Sequence, residues 1–271
     1  MNTDELLAQK IQKAAQAIRE ADGLLITAGA GMGVDSGLPD FRGTEGFWNA
    51  YPALGKLNMD FQRIARPLRF MEDPTLAWGF YGYRLNLYRK TVPHDGFRIL
   101  RELGEKLPHG AFVATSNVDG QFQKAGFSEQ RICEIHGSIH RLQCMDRNCD
   151  TWSAQPFMPK VDEEQCRLIS PLPRCQTCGD IARPNILMFA DHGWDERTTM
   201  RQKMRLETWL AGVKKLAVIE IGAGENIPTI RDIGESQECV LVRINPRHYY
   251  LPPGKGVSLA MGGLEALRLI E

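Results

Sequence analysis

Residues Thr27–Gly43 read T-A-G-A-G-M-G-V-D-S-G-L-P-D-F-R-G, and this stretch says more about the fold than any other part of the chain. It follows the apolar run Leu24–Ile26, which is typical of a buried strand. Glycines at 29, 31 and 33 let the backbone approach a diphosphate closely, and the N–H groups of such a turn bind phosphate oxygens. At its end, Asp40-Phe41-Arg42 provides a carboxylate, an aromatic ring and a guanidinium, which a simple connecting loop does not require. We therefore interpret the stretch as a cofactor-binding loop.

The glycine spacing alone leaves alternatives open. Val34 stands where a G-x-G-x-x-G fingerprint has its third glycine, and no clear acidic residue ends a second strand as a dehydrogenase would require. A tight strand-to-helix turn without a ligand is the other interpretation of the glycines. The Pro39–Arg42 segment argues against that simpler interpretation.

Composition and charge exclude several classes of protein. The 271 residues are 43% hydrophobic and 24% charged, and 33 basic residues balance 33 acidic ones. This zero formal charge argues against nucleic acid or anionic membrane as the main partner. No apolar run approaches the ~20 residues that span a bilayer, and residues 1–10 lack a secretory pattern. We expect a cytoplasmic protein with no membrane and no direct nucleic-acid contact, whose seven cysteines are thiols or metal ligands.

Short apolar runs alternate with helical patterns along the chain. This order predicts an α/β fold in which a parallel sheet is covered by helices on both faces. We expect strands at 24–28, 111–115, 132–135, 186–189, 216–221 and 240–244. We expect helices at 4–21, 75–90, 94–107, 196–210, 226–234 and 264–270, with short helices in 44–73.

Four polar clusters each follow a predicted strand, at 29–43, 116–120, 222–226 and 245–248. In parallel sheets, ligands bind beyond the carboxyl ends of the strands. We therefore expect these four loops to converge on one crevice.

Four cysteines have the spacing of a metal site. Two close pairs, 25 residues apart, can each present two thiolates to one tetrahedral Zn²⁺; they are Cys144-x4-Cys149 and Cys175-x2-Cys178. Four ligands close such a site, so the predicted role is structural. The alternative is that these cysteines are buried small hydrophobes. Cys133, Cys166 and Cys239 lack such partners and are predicted to be packing residues.

His136 lies in E-I-H-G-S, after a strand and before the cysteine-rich segment. A histidine is often a structural hydrogen-bonding residue, but this position and its near-neutral pKa favour a general base. We expect His140 to belong to the zinc module, and we see no comparable setting for His94, His109, His192 or His248.

Two further groups have both a structural and a functional interpretation. Asn117 and Asp119 follow a strand, and either cap the next helix or bind ribose hydroxyls and a carboxamide. Tyr81 and Arg84 are i, i+3 neighbours on a predicted helix and can together bind a carboxylate. An amphipathic helix with a snorkelling arginine is the alternative for that pair.

Together these segments resemble the sirtuins, the NAD-dependent protein deacylases, over about residues 24–245. The similarity rests on the 29–43 loop, on T-S-N-V-D-G at 115–120 with Ala125-Gly126, on E-I-H-G-S at 134–138 and on the two cysteine pairs. Gly222-Ala223-Gly224 and Asn245 lie where later cofactor contacts are expected.

The resemblance implies a Rossmann-like NAD-binding domain at 1–137 and 187–271, a helical module at 44–92 within it, and an inserted zinc-ribbon domain at 138–186. It implies that the acyl-lysine oxygen attacks the nicotinamide ribose of NAD, that nicotinamide leaves, and that the acyl group ends on ADP-ribose. The cofactors would be NAD and Zn²⁺, and the partners would be acyl-lysine proteins or peptides.

The resemblance also assigns site residues. His136 would be the base, and Asn117 and Asp119 would line the ribose and nicotinamide pocket. Tyr81 and Arg84 match the subclass that removes succinyl and malonyl groups. The implied cofactor contacts are Gly29, Ala30, Gly31, Gly33, Asp40, Phe41, Arg42, Trp48, Ser116, Asn117, Val118, Asp119, Gly222, Ala223, Gly224 and Asn245. The implied metal ligands are Cys144, Cys149, Cys175 and Cys178.

Several positions depart from the family pattern. The family usually has Ser at Gly33, Gln at Ser116, His at Phe122, Phe-Gly-Glu at Phe189-Ala190-Asp191 and Gly-Thr-Ser at Gly222-Ala223-Gly224. The changes at 189–191 affect the segment that pairs with the substrate peptide. Mono-ADP-ribosyl transfer or NAD hydrolysis therefore stays an alternative enzymatic interpretation, and binding of NAD as a signal is a non-enzymatic one.

Overall fold

A six-stranded parallel sheet forms the centre of the protein. The computed structural model describes residues 3–40, 43–145 and 149–271. The strand order is β11-β10-β9-β1-β2-β3, and each neighbouring pair is parallel. The strands are β1 Gly23–Ala28, β2 Ala111–Thr115, β3 Ile132–Glu134, β9 Leu216–Ile221, β10 Val240–Ile244 and β11 Gly256–Leu259.

Alternate residues of β1 enter two separate cores, because successive side chains of a strand point to opposite faces. Leu24 and Ile26 pack in a core with the helices α1, α7 and α11. Leu25 packs in a second core with α9 and α10. The helices that cover the sheet are α1 Thr3–Arg19, α7 Asp95–Glu105, α9 Arg197–Gly212, α10 Thr229–Glu235 and α11 Gly263–Ile270. The predicted parallel sheet with helices on both faces is confirmed.

A smaller unit lies beside the sheet and combines short helices with two antiparallel sheets. Its strands are β4 Gly137–Cys144, β5 Trp152–Ser153, β6 Val161–Asp162, β7 Arg167–Leu168 and β8 Ala182–Ile186, in the orders β5-β4-β8 and β6-β7. Its helices are α2 Gly43–Ala50, α3 Pro52–Lys56, α4 Phe61–Ile64, α5 Leu68–Glu72 and α6 Pro74–Lys90. One hydrophobic core joins the helices to these strands. The short helix α8 Gln121–Lys124 follows β2 in the larger unit.

Two glycines of α6 allow the β6-β7 hairpin to lie directly on the helix. A Cβ atom added at Gly79 would lie 2.0 Å from the Cys166 carbonyl oxygen, and one at Gly82 would lie 2.9 Å from Pro159. The two positions share a face because they are i, i+3 neighbours. Trp78 fixes the same helix to β8, since its indole N–H donates to the Ala182 carbonyl oxygen at 2.8 Å.

The prediction of a strand at 186–189 is wrong. The strand is β8, it ends at Ile186, and it pairs antiparallel with β4 in the small sheet rather than joining the large one. Residues 187–189 instead follow the neighbouring loops, where Leu187 N–H donates to the His136 carbonyl oxygen and Phe189 N–H to that of Ala65, both at 2.9 Å. The domain limits at 137/138 and 186/187 stay a prediction. Within the described ranges, no helix has the length and apolarity needed to cross a membrane.

Candidate functional site

Two glycine loops cross at the carboxyl edge of the sheet, one after β1 and one after β9. Gly31 N–H donates to the Gly222 carbonyl oxygen at 3.1 Å, and Gly29 N–H to that of Ile221 at 3.0 Å. A Cβ atom at Gly31 would lie 2.6 Å from the Gly222 Cα atom, and Gly222 itself has a φ of 63°. These glycines are therefore required by the close approach of the two loops, in addition to any phosphate contact.

The loop after β1 continues as a 3-10 helix, Ala30–Ser36, which neighbouring elements hold in place. His94 contacts it twice: its Nε2 atom lies 2.9 Å from the Met32 carbonyl oxygen, and its backbone N–H donates to Ser36 Oγ at 2.9 Å. Asp35 accepts from Leu264 N–H at the start of α11. The sequence analysis missed this role of His94. Its position just before α7 indicates only a helix cap, in which its Nδ1 atom accepts from Gly96 N–H.

Gly33 is buried under Leu38, and a Cβ atom there would lie 3.1 Å from the leucine side chain. A serine at this position would therefore press on Leu38. Asp40 is half-buried, whereas the predicted contacts Phe41 and Arg42 lie outside the described residues. Trp48, also assigned to the cofactor, donates its indole N–H to the Met59 carbonyl oxygen at 2.9 Å.

The segment after β2 borders the same crevice. Asn117 Nδ2 donates to the Gly29 carbonyl oxygen at 3.0 Å, which joins the β2 loop to the first glycine loop. Asp119 is buried and caps α8 by accepting from Gln121 N–H at 2.9 Å. Burial raises the pKa of its carboxyl group to about 6. The capping interpretation is therefore correct for Asp119, and it is compatible with a place beside a ligand.

His136 follows β3 and is half-buried. Burial lowers the pKa of its imidazole, and a hydrogen bond from the ring to the Ser116 carbonyl oxygen acts in the opposite direction. That bond makes one ring nitrogen a donor, so in the neutral ring the other nitrogen is an acceptor. A neutral imidazole held in one orientation is what a general base requires.

His140 lies on β4, the strand that ends at Cys144, but it is not one of the clustered metal-ligating groups. Its Nε2 atom lies 2.8 Å from the Asp119 carbonyl oxygen, and its ring packs against Gly120. It lies on β4, which runs from the crevice toward the cysteines, and its side chain faces the crevice end of that strand. Its role is to hold the segment that carries Asp119.

The loops after β9 and β10 are joined by side chains. Asn245 Nδ2 donates to the Ala223 carbonyl oxygen at 2.9 Å, while Asn245 Oδ1 accepts from the backbone N–H groups of Arg247 and His248 at 3.0 Å. Arg231 on α10 donates to the His248 carbonyl oxygen at 3.0 Å. Asn245 thus shapes the crevice, and Arg231 is a supporting residue that the sequence analysis missed. The exposed Gly224 completes the β9 loop.

Tyr81 and Arg84 lie in an aromatic cluster on α6. Tyr81 stacks on Phe70 with the ring centroids 5.6 Å apart, and burial raises the pKa of its hydroxyl to about 12. The Arg84 guanidinium donates to the Tyr88 hydroxyl from Nε at 3.0 Å and from Nη2 at 2.8 Å. It lies 5.3–5.9 Å from four ring centroids, those of Phe61, Phe80, Tyr81 and Tyr88. Arg84 is only 6% exposed, so it is not a snorkelling surface arginine.

The four predicted zinc ligands come together. Cys144, Cys149, Cys175 and Cys178 place their sulfur atoms within 4.8 Å of one another. Thiolates bound to one tetrahedral Zn²⁺ at ~2.3 Å lie about 3.8 Å apart, so the cluster fits that ion. Backbone N–H groups of Cys178 and Thr177 lower the pKa of Cys175, which favours its thiolate form. Cys133, Cys166 and Cys239 lie outside the cluster, as expected.

Three relatives of known name resemble the sequence. A NAD-dependent protein deacylase of Pyrococcus furiosus is 34% identical over 163 residues, 60% of this chain and 59% of that protein. A protein of the same name from Aquifex aeolicus is 29% identical over 168 residues, 62% of each chain. One from Leptospira interrogans is 29% identical over 221 residues, 81% of this chain and 79% of the relative. The chain spans between 59% and 65% of the length of the first four curated relatives it matches.

Solved structures agree with the fold. A Sir2 homologue in complex with NAD superposes with a TM-score of 0.71 at 24% identity, covering 99% of this chain and 93% of that one. A variant Sir2 homologue in complex with ADP-ribose gives 0.70 at 22% identity, covering 100% and 96%. The Sir2 family model matches residues 29–210, from the first glycine loop through the cysteine cluster and into α9. The chain therefore belongs to the Sir2 family.

Proposed function

We propose that this protein is an NAD-dependent protein-lysine deacylase, which transfers the acyl group to ADP-ribose and releases nicotinamide. The observation that carries the proposal is the position of His136. Its imidazole is held by the Ser116 carbonyl oxygen at the edge of the crevice that the two glycine loops border. The names of the relatives support the same activity.

Each residue of the crevice has a task in this mechanism. NAD, when bound, supplies the nicotinamide–ribose bond whose cleavage allows acyl transfer. The backbone N–H groups of the glycine loops would hold its diphosphate. His136 would accept a proton from a ribose hydroxyl, because burial keeps its imidazole neutral. Asn117 and Asp119 would line the ribose and nicotinamide pocket, and Asp40, Phe41 and Arg42 would order the cofactor loop.

We infer that the acyl group removed is acidic, such as succinyl or malonyl. Arg84 provides a guanidinium that is charged at all accessible pH values, and Tyr81 lies beside it with its ring centroid 5.7 Å away. The surrounding rings exclude water and so strengthen the attraction for a carboxylate. A neutral acetyl group has no carboxylate and would not gain binding energy from this electrostatic attraction.

One observation supports a second activity, mono-ADP-ribosyl transfer. Asp191, in the segment that would pair with a peptide, is instead bound to Arg183 through both carboxylate oxygens at 2.7 and 2.9 Å. Both side chains are fully buried, and Ala190 beside them has a φ of 52°. This segment is therefore organised around an internal ion pair, and peptide pairing along it would differ from the family pattern.

One assay separates these activities. The protein is incubated with NAD and with acetyl- or succinyl-lysine peptides, and products are followed by mass spectrometry. Deacylation yields O-acyl-ADP-ribose and free lysine; ADP-ribosyl transfer yields modified protein; hydrolysis releases nicotinamide without peptide. We expect His136→Ala to abolish deacylation. His109→Ala, an exposed histidine before the amino end of β2, is the matched control.

Arg84→Met tests the acyl preference in the same assay. We expect a loss of at least about tenfold in kcat/KM for succinyl peptides, since a charge-assisted hydrogen bond contributes roughly 1.5–3 kcal/mol. Turnover of acetyl peptides is the internal control. Equal losses for both peptides would contradict an acidic acyl group.

We propose a cytoplasmic protein that acts on acyl-lysine proteins and does not bind nucleic acid directly. The zero formal charge supports the second point.

A further inference from the structure

The crevice has two chemically different ends. His136 and Asn117 lie beyond β3 and β2, on one side of the glycine loop after β1. The loops 222–226 and 245–248 lie beyond β9 and β10, on the other side. If NAD binds as proposed above, with its reacting ribose at His136 and its diphosphate at the glycine loops, its adenosine half lies at the β9–β10 end.

The chain after β10 is fixed at this end of the crevice. Its backbone carbonyl oxygens are held by two buried arginines: Arg231 donates to that of His248 at 3.0 Å, and Arg243 to that of Tyr250 at 2.6 Å. Arg243 is itself held by the buried carboxylate of Glu220, through bonds of 2.6 and 2.9 Å. Asn245 accepts the Arg247 backbone N–H at 3.0 Å. The backbone position of Arg247 is therefore determined before any ligand binds.

One exposed arginine, Arg247, lies at this end of the crevice. A dinucleotide site that selects an unmodified ribose commonly has a carboxylate for the 2′-hydroxyl, whereas an arginine accommodates a 2′-phosphate. The loop 245–248 reads N-P-R-H and contains no acidic residue. The nearby Glu225 carboxylate is bound to His248 Nδ1 at 2.9 Å. Arg247 is exposed, and within the described residues its guanidinium has no ion pair.

We propose that this crevice also binds a nicotinamide dinucleotide that carries a 2′-phosphate on its adenosine ribose, with Arg247 as the phosphate-binding residue. The planar guanidinium matches the oxygens of a phosphate group, and the fixed loop lowers the entropic cost of that contact. This inference rests on the proposed function, because it takes the direction of the bound dinucleotide from it. Its consequence is competition between the phosphorylated and the unphosphorylated dinucleotide for one site.

Calorimetry on the full-length protein tests the proposal at physiological ionic strength. NAD and NADP are titrated separately, and the quantity measured is the ratio of their dissociation constants. We expect NADP to bind within about tenfold of NAD and to displace it. Arg247→Glu should lower the affinity for NADP relative to NAD by at least about tenfold, which corresponds to 1.4 kcal/mol. Arg247→Lys should retain part of the relative affinity, because it keeps the charge but not the fork.

Arg131→Glu is the matched control, since this exposed arginine precedes the amino end of β3, at the opposite edge of the sheet. The ratio should not change in that variant. The proposal would be overturned if Arg247→Glu left the ratio of the two dissociation constants unchanged. It would also be overturned if the protein bound NADP more than about a hundredfold more weakly than it binds NAD. Failure of the deacylation assay with intact NAD binding would instead refute the proposed function and leave this ratio measurable.

Discussion

Burial has opposite effects on the pKa values of two titratable side chains that follow β3 and β2, His136 and Asp119. It lowers the pKa of His136, so the imidazole is neutral and can accept a proton near pH 7. It raises the pKa of Asp119 to about 6, so that carboxyl group is costly to ionise. One environment therefore favours the uncharged form of both a base and an acid.

Asp119→Asn should increase stability at alkaline pH. Because the pKa of Asp119 is raised on folding, its favourable contribution is complete below the unfolded value of 3.8 and is lost as pH rises through about 6. Asparagine keeps the oxygen that accepts from Gln121 N–H and carries no charge. We expect the variant to be more stable at pH 8 by on the order of 3 kcal/mol, since one pKa unit corresponds to about 1.4 kcal/mol. Urea unfolding at pH 8 and pH 4 measures this, and a variant that is less stable at pH 8 would show that the charge is compensated.

Single residues were predictable where a local motif contained them. Cysteine spacing was sufficient for the metal cluster. The role of His136 as a base, taken from E-I-H-G-S, stays a prediction. His94 was not predictable as a support of the cofactor loop, because its contacts with Met32 and Ser36 join positions about sixty residues apart. Side chains that act through distant backbone atoms leave no local pattern.

At the scale of elements, the crossing of the two glycine loops gives a sharp mutational expectation. Gly222→Ala would place a Cβ atom 2.4 Å from the Gly31 Cα atom at a φ of 63°. Backbone atoms on both sides cannot yield without moving a loop, so we expect a loss of at least about 2 kcal/mol in the free energy of unfolding. The affinity for NAD should fall as well.

Gly212→Ala is the control for this substitution. Gly212 is the last residue of α9, and a Cβ atom there would meet no atom within 4 Å. Alanine should leave stability equal or slightly higher there, because it lowers the entropy of the unfolded chain. Similar losses at both positions in denaturant titrations would show that the crossing is more adaptable than its geometry indicates.

Elements were predictable where apolar runs were continuous. The predicted limits of β2, β9 and β10 agree with the structure, because most residues of these buried strands are apolar and the few polar ones, such as Glu220 and Arg243, are buried with them. β11, Gly256–Leu259, was missed because it is short and begins with a glycine. Residues 186–189 were assigned to the wrong sheet because their apolar run does not specify a partner strand.

For the whole molecule, removal of a zinc ligand tests whether the metal stabilises the smaller unit. Cys175→Ser should lose the metal and at least about 2 kcal/mol of stability, because metal binding contributes directly to folding in small modules. Cys239→Ser is the control, since Cys239 lies outside the cluster. Metal analysis should give about one Zn per chain for the control and almost none for Cys175→Ser. Full retention of zinc in Cys175→Ser would refute the four-cysteine site.

The convergence of loops was predictable for the whole molecule, because parallel strands bring their carboxyl ends to one edge. The contact between α6 and the β6-β7 hairpin was not, since Gly79 and Gly82 are ordinary helix residues until their partner is known. The contacts of the 189–191 segment were also not predictable from the sequence. Its buried ion pair joins Asp191 to Arg183 on β8, and it is visible only when the loop after β8 is in place.

Helix α6 contacts both the β6-β7 hairpin and the segment that carries Asp119. Its 17 residues span about 25 Å. The hairpin rests on it at Gly79 and Gly82. Arg84 lies two residues after Gly82 and Tyr88 about one turn after Arg84, and the Tyr88 carbonyl oxygen accepts from Gln121 Nε2. A tilt of the hairpin would therefore move the Arg84 cluster and the Asp119 segment together. If Arg84 selects the acyl group as proposed above, we expect changes at the hairpin to alter that selection as well.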